Sequence, residues 1–170
     1  GKEKWTVSPR EKRGLTLVAH GGVVLIRGGG AMEARDAATG KPLWYQKIMP
    51  VEGAARPDVF IADGVVWPGI VSADANRKPK NKTPNTLAVG YDLRTGEETR
   101  RIFVRDLRSP EHHHRCYRNK ATGRYVITGY EGCEFVDLSG GDHSQDNWVR
   151  GACKLGIMPA NGLLYVPPDQ

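Results

Sequence analysis

The chain has 170 residues, a net charge of +6, 21 Gly and 11 Pro. No apolar run is long enough to cross a membrane as a helix, and no signal-peptide pattern occurs in these residues. The positive charge is spread over Lys2–Arg13, Arg77–Lys82 and Arg100–Arg108 without interleaved aromatic rings, which argues against a nucleic-acid stacking platform and for a solvated basic surface.

In chain order, residues 1–14 read as an N-terminal extension. Ala19-His20-Gly21-Gly22 then leads into the apolar run Val23-Val24-Leu25-Ile26, the pattern of a hairpin turn and its return strand. Gly28-Gly29-Gly30 lacks the Lys-Ser/Thr of a phosphate loop and sits between strands, so it reads as a bulge or turn. Ala34-Arg35-Asp36-Ala37-Ala38-Thr39-Gly40-Lys41-Pro42-Leu43-Trp44 follows: a strand, a tight turn and a second strand. In such a turn the Asp or Thr side chain accepts backbone N–H bonds and Gly supplies a positive φ.

Both patterns recur. Ala62-Asp63-Gly64-Val65-Val66-Trp67 precedes Gly90-Tyr91-Asp92-Leu93-Arg94-Thr95-Gly96, and Ala121-Thr122-Gly123-Arg124-Tyr125-Val126-Ile127 precedes Phe135-Val136-Asp137-Leu138-Ser139-Gly140-Gly141 with Trp148 beyond. Ala160-Asn161-Gly162-Leu163-Leu164-Tyr165 opens a fourth copy. Gly22 to Asp36 and Gly123 to Asp137 both span 14 residues, whereas Gly64 to Asp92 spans 28. The polar stretch Ala73–Thr86 is itself 14 residues long, and setting it aside restores the register. It suits either a binding loop or a disordered tip. Its sequon, Asn81-Lys82-Thr83, is read as unused.

A period of about 40–50 residues implies similar small antiparallel units that must stack to bury their faces. The expected fold is therefore all-β: a partial β-propeller of four-stranded antiparallel blades, about three plus the start of a fourth. The expected boundaries are 15–49, 57–105, 113–150 and a partial 151–170. The structural residues of the repeat are Asp36, Gly40 and Trp44, then Asp92 and Gly96, then Asp137, Gly141 and Trp148. The Asp residues are assigned to turns and the Trp residues to docking between blades.

The phrase A-x-D-x-x-T-G-x-x-x-W resembles the repeat of the pyrroloquinoline-quinone-like (PQQ-like) β-propellers, which include quinoprotein alcohol dehydrogenases and BamB-type outer-membrane assembly lipoproteins. Ala34–Trp44 matches it well. The second copy keeps Asp92, Thr95 and Gly96 but has Arg100 in place of the Trp. The segments His113–Ala121, Trp148-Val149-Arg150-Gly151 and Met158–Gly162 further resemble large planctomycete members. The resemblance implies an exported or periplasmic bacterial protein. Its partners would be the remaining blades of the same chain or a second copy, and envelope proteins. It also brings PQQ with Ca²⁺ as the cofactor of an oxidoreductase, although the vicinal Cys pair often seen in such enzymes is missing here.

Two further constellations bear chemistry. On an extended strand His112, His114 and Cys116 would share one face and could hold a metal ion; the alternative is that His112 belongs to a surface connection. Cys116 and Cys153 fall at nearly equivalent places in consecutive units, so they are read as a disulfide, as two unrelated thiols, or as a metal or redox pair. Cys133 reads as a buried free thiol. The preferred reading is a non-catalytic binding or scaffolding segment. The second is a fragment of a PQQ-dependent oxidoreductase, and the third is a metal or redox site at the His/Cys cluster.

Overall fold

The computed structural model describes residues 1–12, 15–48, 58–72, 86–104, 116–130, 132–140 and 143–168. Its regular elements are all strands, paired antiparallel into successive sheets. The first sheet holds β1 (Thr16–His20), β2 (Val23–Arg27), β3 (Ala31–Asp36) and β4 (Pro42–Lys47), each paired with its neighbour in the chain. The Gly28–Gly30 run closes the β2–β3 turn, where Gly28 N donates to Ala31 O at 2.9 Å.

The second sheet holds β5 (Phe60–Ala62), β6 (Val65–Trp67), β7 (Ile70–Ser72), β8 (Thr86–Asp92) and β9 (Glu98–Val104). Because β9 occupies one edge of β8, β6 and β7 lie in line along the other. They are one strand interrupted at Pro68-Gly69: proline offers no N–H to the ladder, and Gly69 has φ +84°. The register slips by one residue across this break, from Val66 opposite Tyr91 to Ile70 opposite Ala88. The polar stretch therefore sits inside the β7–β8 connection. Thr86, its last expected residue, opens β8, and 73–85 lie outside the described residues.

The third sheet holds β10 (Lys120–Ala121), β11 (Tyr125–Thr128), β12 (Cys133–Asp137) and β13 (His143–Asp146). β14 (Met158–Ala160) and β15 (Leu163–Tyr165) form a two-stranded sheet after it.

Alternation along each central strand sends neighbouring side chains to opposite faces, so each inner sheet is buried on both sides. Val23, Leu25, Met32 and Ala34 of the first sheet meet Val66 and Leu93 of the second. Trp67, Ala88, Ile102 and Val104 of the second meet Val126, Val136 and Leu138 of the third. Ile127, Cys133 and Ile157, with Phe135 and Leu164 packed on them, join the third sheet to the β14–β15 hairpin. Each fully buried Val, Leu or Ile contributes about 1.5–3 kcal/mol, so these faces hold the stack together.

Three repeat positions differ from the sequence expectation. The β1–β2, β5–β6 and β14–β15 turns carry consecutive positive φ values at Gly21-Gly22, Asp63-Gly64 and Asn161-Gly162, as the mirror-image hairpin turn requires. In the third sheet the equivalent of Gly22 and Gly64 is Arg124, not Gly123. Ala37 N bonds Gly22 O, Leu93 N bonds Gly64 O, and Leu138 N bonds Arg124 O, at 2.9, 3.2 and 2.8 Å. There the Thr122 hydroxyl organises the turn by accepting from Arg124 N and Tyr125 N at 3.2 and 3.0 Å, and neither Gly123 nor Arg124 has a positive φ.

The third Asp-turn is also one residue shorter. Gly140 supplies the positive φ (+85°) and donates to Asp137 O at 3.2 Å, so Gly140 takes the role expected of Gly141, which lies outside the described residues. Trp148 does not lie on the last strand of its sheet as Trp44 does: it follows β13 and is 98% exposed.

Candidate functional site in the clefts between sheets

The repeated Asp residues build the turns that face each cleft. Asp36 Oδ1 accepts from Ala38 N, Thr39 N and Thr39 Oγ1 at 3.1, 2.8 and 2.7 Å. Asp92 Oδ1 accepts from Arg94 N and Thr95 N at 2.8 Å each. Gly40 N and Gly96 N close the turns onto Asp36 O and Asp92 O. Asp137 Oδ1 accepts from Ser139 N and Ser139 Oγ at 2.9 and 2.7 Å, while its Oδ2 takes two bonds from the Arg124 guanidinium at 2.9 and 2.8 Å. Hydrogen bonds to the ionised form lower all three carboxyl pKa values. For Asp137 the Ser139 hydroxyl leads, Arg124 follows, and the pKa falls to about 2.

A tryptophan from the preceding unit caps the first two turns. Trp44 on β4 donates from Nε1 to Leu93 O at 3.0 Å and lies flat on Gly96. A Cβ on Gly96 would sit 2.6 Å from the indole Cδ2 and Cγ, so this close approach requires glycine. Gln46 adds a bond from Nε2 to Gly96 O at 2.9 Å. Trp5 repeats the arrangement one unit earlier, donating from Nε1 to Ala37 O at 3.0 Å and covering Gly40. Ala37 and Leu93 each follow the turn Asp, so the two clamps are equivalent atom for atom. Residues read as a plain extension thus supply a clamp. The missed signal is that Gly1-Lys2-Glu3-Lys4-Trp5 echoes Gly40-Lys41-Pro42-Leu43-Trp44 at its Gly, Lys and Trp positions.

At the third turn the clamp is changed. Arg100 pairs with Gly90 just as Trp44 pairs with Ala34, and its Nη1 donates to Leu138 O at 3.2 Å. The acceptor is the residue after the turn Asp, as before, but a guanidinium has replaced the indole. Gly140 is exposed, whereas Gly40 and Gly96 are buried under rings. The lost ring leaves a cavity of about 410 Å³ between the second and third sheets, lined by Asp63, Trp67, Arg100, Arg124 and Leu138 among others.

Other candidate residues are placed as follows. His112 and His114 lie outside the described residues, and Cys116 is exposed. Cys153 is also exposed, and the structure records no bridge between it and Cys116. Cys133 is a buried free thiol whose pKa rises to about 11, first through burial and then through Glu134 and Asp146. Among the described residues no group of three His, Cys, Asp or Glu side chains could hold a metal ion.

Two fully buried charges escaped the sequence reading. Glu134 is fully buried and accepts from Thr128 Oγ1, Tyr130 N and Gly132 N at 2.6, 2.9 and 2.9 Å. Arg27 is fully buried and its pKa falls to about 10, with desolvation outweighing the opposing influence of Asp58. Asp58 in turn accepts from Asn119 N at 3.1 Å, tying the entry of the second sheet to that of the third. Neither charge belongs to an apolar-polar alternation, which is why periodicity did not point to them.

A quinone with its calcium ion does not fit these residues. Trp5 and Trp44 are stacked on turns with their N–H groups bonded, Trp67 is buried in a core, and Trp148 is solvent-exposed. The turn carboxylates already accept local hydrogen bonds rather than converging on a common point.

Comparison with solved structures agrees with the fold. BamB from Moraxella catarrhalis aligns at a TM-score of 0.51 and 15% identity, over 82% of this chain and 38% of that chain. A europium-containing methanol dehydrogenase aligns at a TM-score of 0.40 and 18% identity, over 59% of this chain and 19% of that chain, too distant a match to carry an argument. The chain thus spans well under half the length of either structure. No family model and no curated protein matches the sequence. The fold is that of a partial β-propeller of antiparallel four-stranded blades, shared with BamB.

Proposed function

We propose that the chain is a non-catalytic binding or scaffolding segment of a PQQ-like β-propeller in an exported bacterial protein that works with envelope proteins. The observation that carries this reading is the use made of the repeated phrase: Asp36, Gly40, Trp44, Asp92 and Gly96 are all engaged in turns and clamps between sheets. Such a phrase makes a rigid stack whose loops are free to differ, which is the physical requirement of a scaffold. The fold shared with BamB supports the envelope assignment at the level of analogy.

The two-stranded β14–β15 sheet leaves Leu155, Met158, Leu163 and Tyr165 exposed, and we assign that face to further strands of the same propeller or to a second copy. Retention of a discrete partner by the immobilised chain in envelope extract, at near-stoichiometric yield and resistant to moderate salt, is the expected result. Uptake of PQQ and Ca²⁺ by the folded chain, read as quinone absorbance that co-elutes with it, would replace the scaffold reading with the oxidoreductase one.

A further inference from the structure

We propose that the open edge of β15 takes an extended peptide of the sequence small-x-Asp-Leu, seated antiparallel as a third strand. This rests on the reading of the β14–β15 face as a docking surface for strands, and it names what such a strand must carry. The molecule holds three precedents. The residue that opens the strand after each hairpin turn pairs with the turn Asp: Val23 with Asp36, Val65 with Asp92, Tyr125 with Asp137. The N–H one residue beyond that Asp then donates to Gly22 O, Gly64 O or Arg124 O. β15 is prepared in the same way. Asn161 and Gly162 have φ +52° and +74°, as Asp63 and Gly64 have +50° and +76°. Among the described residues, however, β15 pairs only with β14, and no N–H reaches Gly162 O. Ala160 and Leu163 close the two-residue turn as a hydrogen-bonded pair, so the Leu164 N–H and C=O face the open edge. Such a row of free backbone groups is a template for a further strand.

The side chain after the Asp has a seat as well. Leu93 and Leu138 are each buried against the sheet that precedes their own. The corresponding place beside β15 is an open cavity of about 680 Å³, lined by Tyr125, Ile127, Phe135, Leu163 and Leu164 among others. Ser144 stands opposite Phe135 where Trp44 stands opposite Ala34, and Ser144 is exposed, so the third sheet sends no ring into this cleft. An apolar side chain on the incoming strand would fill it, and main-chain bonds with alternate side-chain pockets are how added strands are recognised. The phrase-bearing strands β3, β8 and β12 are each paired along both edges. A folded second copy therefore has none to give, and the occupant is a partner segment with a free strand.

The full 170-residue chain is titrated with a synthetic peptide of its own β8 and turn, Thr86–Glu97, while the amide ¹H–¹⁵N signals and amide exchange rates are followed. Saturable binding in the micromolar range is expected, with exchange at Leu164 slowed about tenfold or more and exchange in the first sheet unchanged. The same peptide methylated on its Leu93 nitrogen cannot donate to Gly162 O and should bind about tenfold more weakly. A Leu93→Asp peptide carries a charge into the apolar cavity and should not bind measurably. Both changes are made in the peptide, so the folding of the chain is untouched. No saturable binding of the parent peptide, unslowed exchange at Leu164, or equal binding of the methylated peptide would each overturn the site. Any of these together with a stoichiometric partner retained from envelope extract would remove the strand site and leave the scaffold reading standing.

Discussion

The boundary between the first and second sheets and the boundary between the second and third are built on one plan and closed by different chemistry. Both bring a side chain from the last strand of one sheet onto the Asp-turn of the next, and both aim a donor at the carbonyl just after the Asp. Trp44 does this as a buried ring that covers glycine. Arg100 does it as an exposed cation that leaves Gly140 uncovered and a cavity open beside it. Holding the hydrogen bond constant isolates the contribution of the ring. Packing makes the first boundary tight; the guanidinium leaves the second one more open.

The comparison can be broken most forcefully at Trp44. Trp44→Ala should cost about 3–5 kcal/mol in urea unfolding, since it removes a large buried ring and orphans the Leu93 carbonyl. Gly96→Ala comes next, at about 2–3 kcal/mol, because left-handed strain at φ +73° adds to the collision with the indole. Gly140→Ala has the strain without the collision, nothing lying within 4 Å of its new Cβ, and should cost about 1–2 kcal/mol. Equal losses at Gly96 and Gly140 would show that the ring adds nothing at the first boundary. Arg100→Ala should be milder still, at about 0.5–1.5 kcal/mol for one exposed hydrogen bond.

The finest distinction is one of pH. The Asp137 pKa is depressed from 3.8 to about 2, so its contribution is complete above about pH 4 and is lost as the pH falls through 2. Urea midpoints taken across that window should therefore fall less steeply in Asp137→Asn than in the parent chain, and parallel curves would contradict the Ser139–Arg124 cradle.

Much of the fold was legible because the repeated phrase encodes it locally. Asp36 and Asp92 had to form turns, and Trp44 had to find a neighbouring surface. What stayed hidden depended on side-chain choices that the repeated phrase does not encode. Gly123 looks like the turn glycine of the third unit, yet the Thr122 hydroxyl organises that turn and shifts the equivalent position to Arg124. Trp148 looked like the Trp of a third copy, but it stands 11 residues after Asp137 where Trp44 stands 8 after Asp36, so it falls beyond β13 and into solvent. Arg100 was visible as a departure from the repeat. That it keeps the bond of the residue it replaces, and vacates the space, could be learned only from the fold.

The clamps all point the same way along the chain. Trp5 closes on Ala37, Trp44 on Leu93 and Arg100 on Leu138, so each unit is locked by a carbonyl that comes later in the sequence. A chain that emerges from its N-terminus can complete a sheet and still lack the surface on which that sheet's last strand must rest. Folding in that order is a relay in which the Trp5 and Trp44 rings stay uncovered until the successor turn arrives. The wait at Trp44 is the longest in exposure terms, since its successor cannot close until the connection between β7 and β8 has been traversed. Arg100, a cation that water tolerates, can wait there without inviting misassociation.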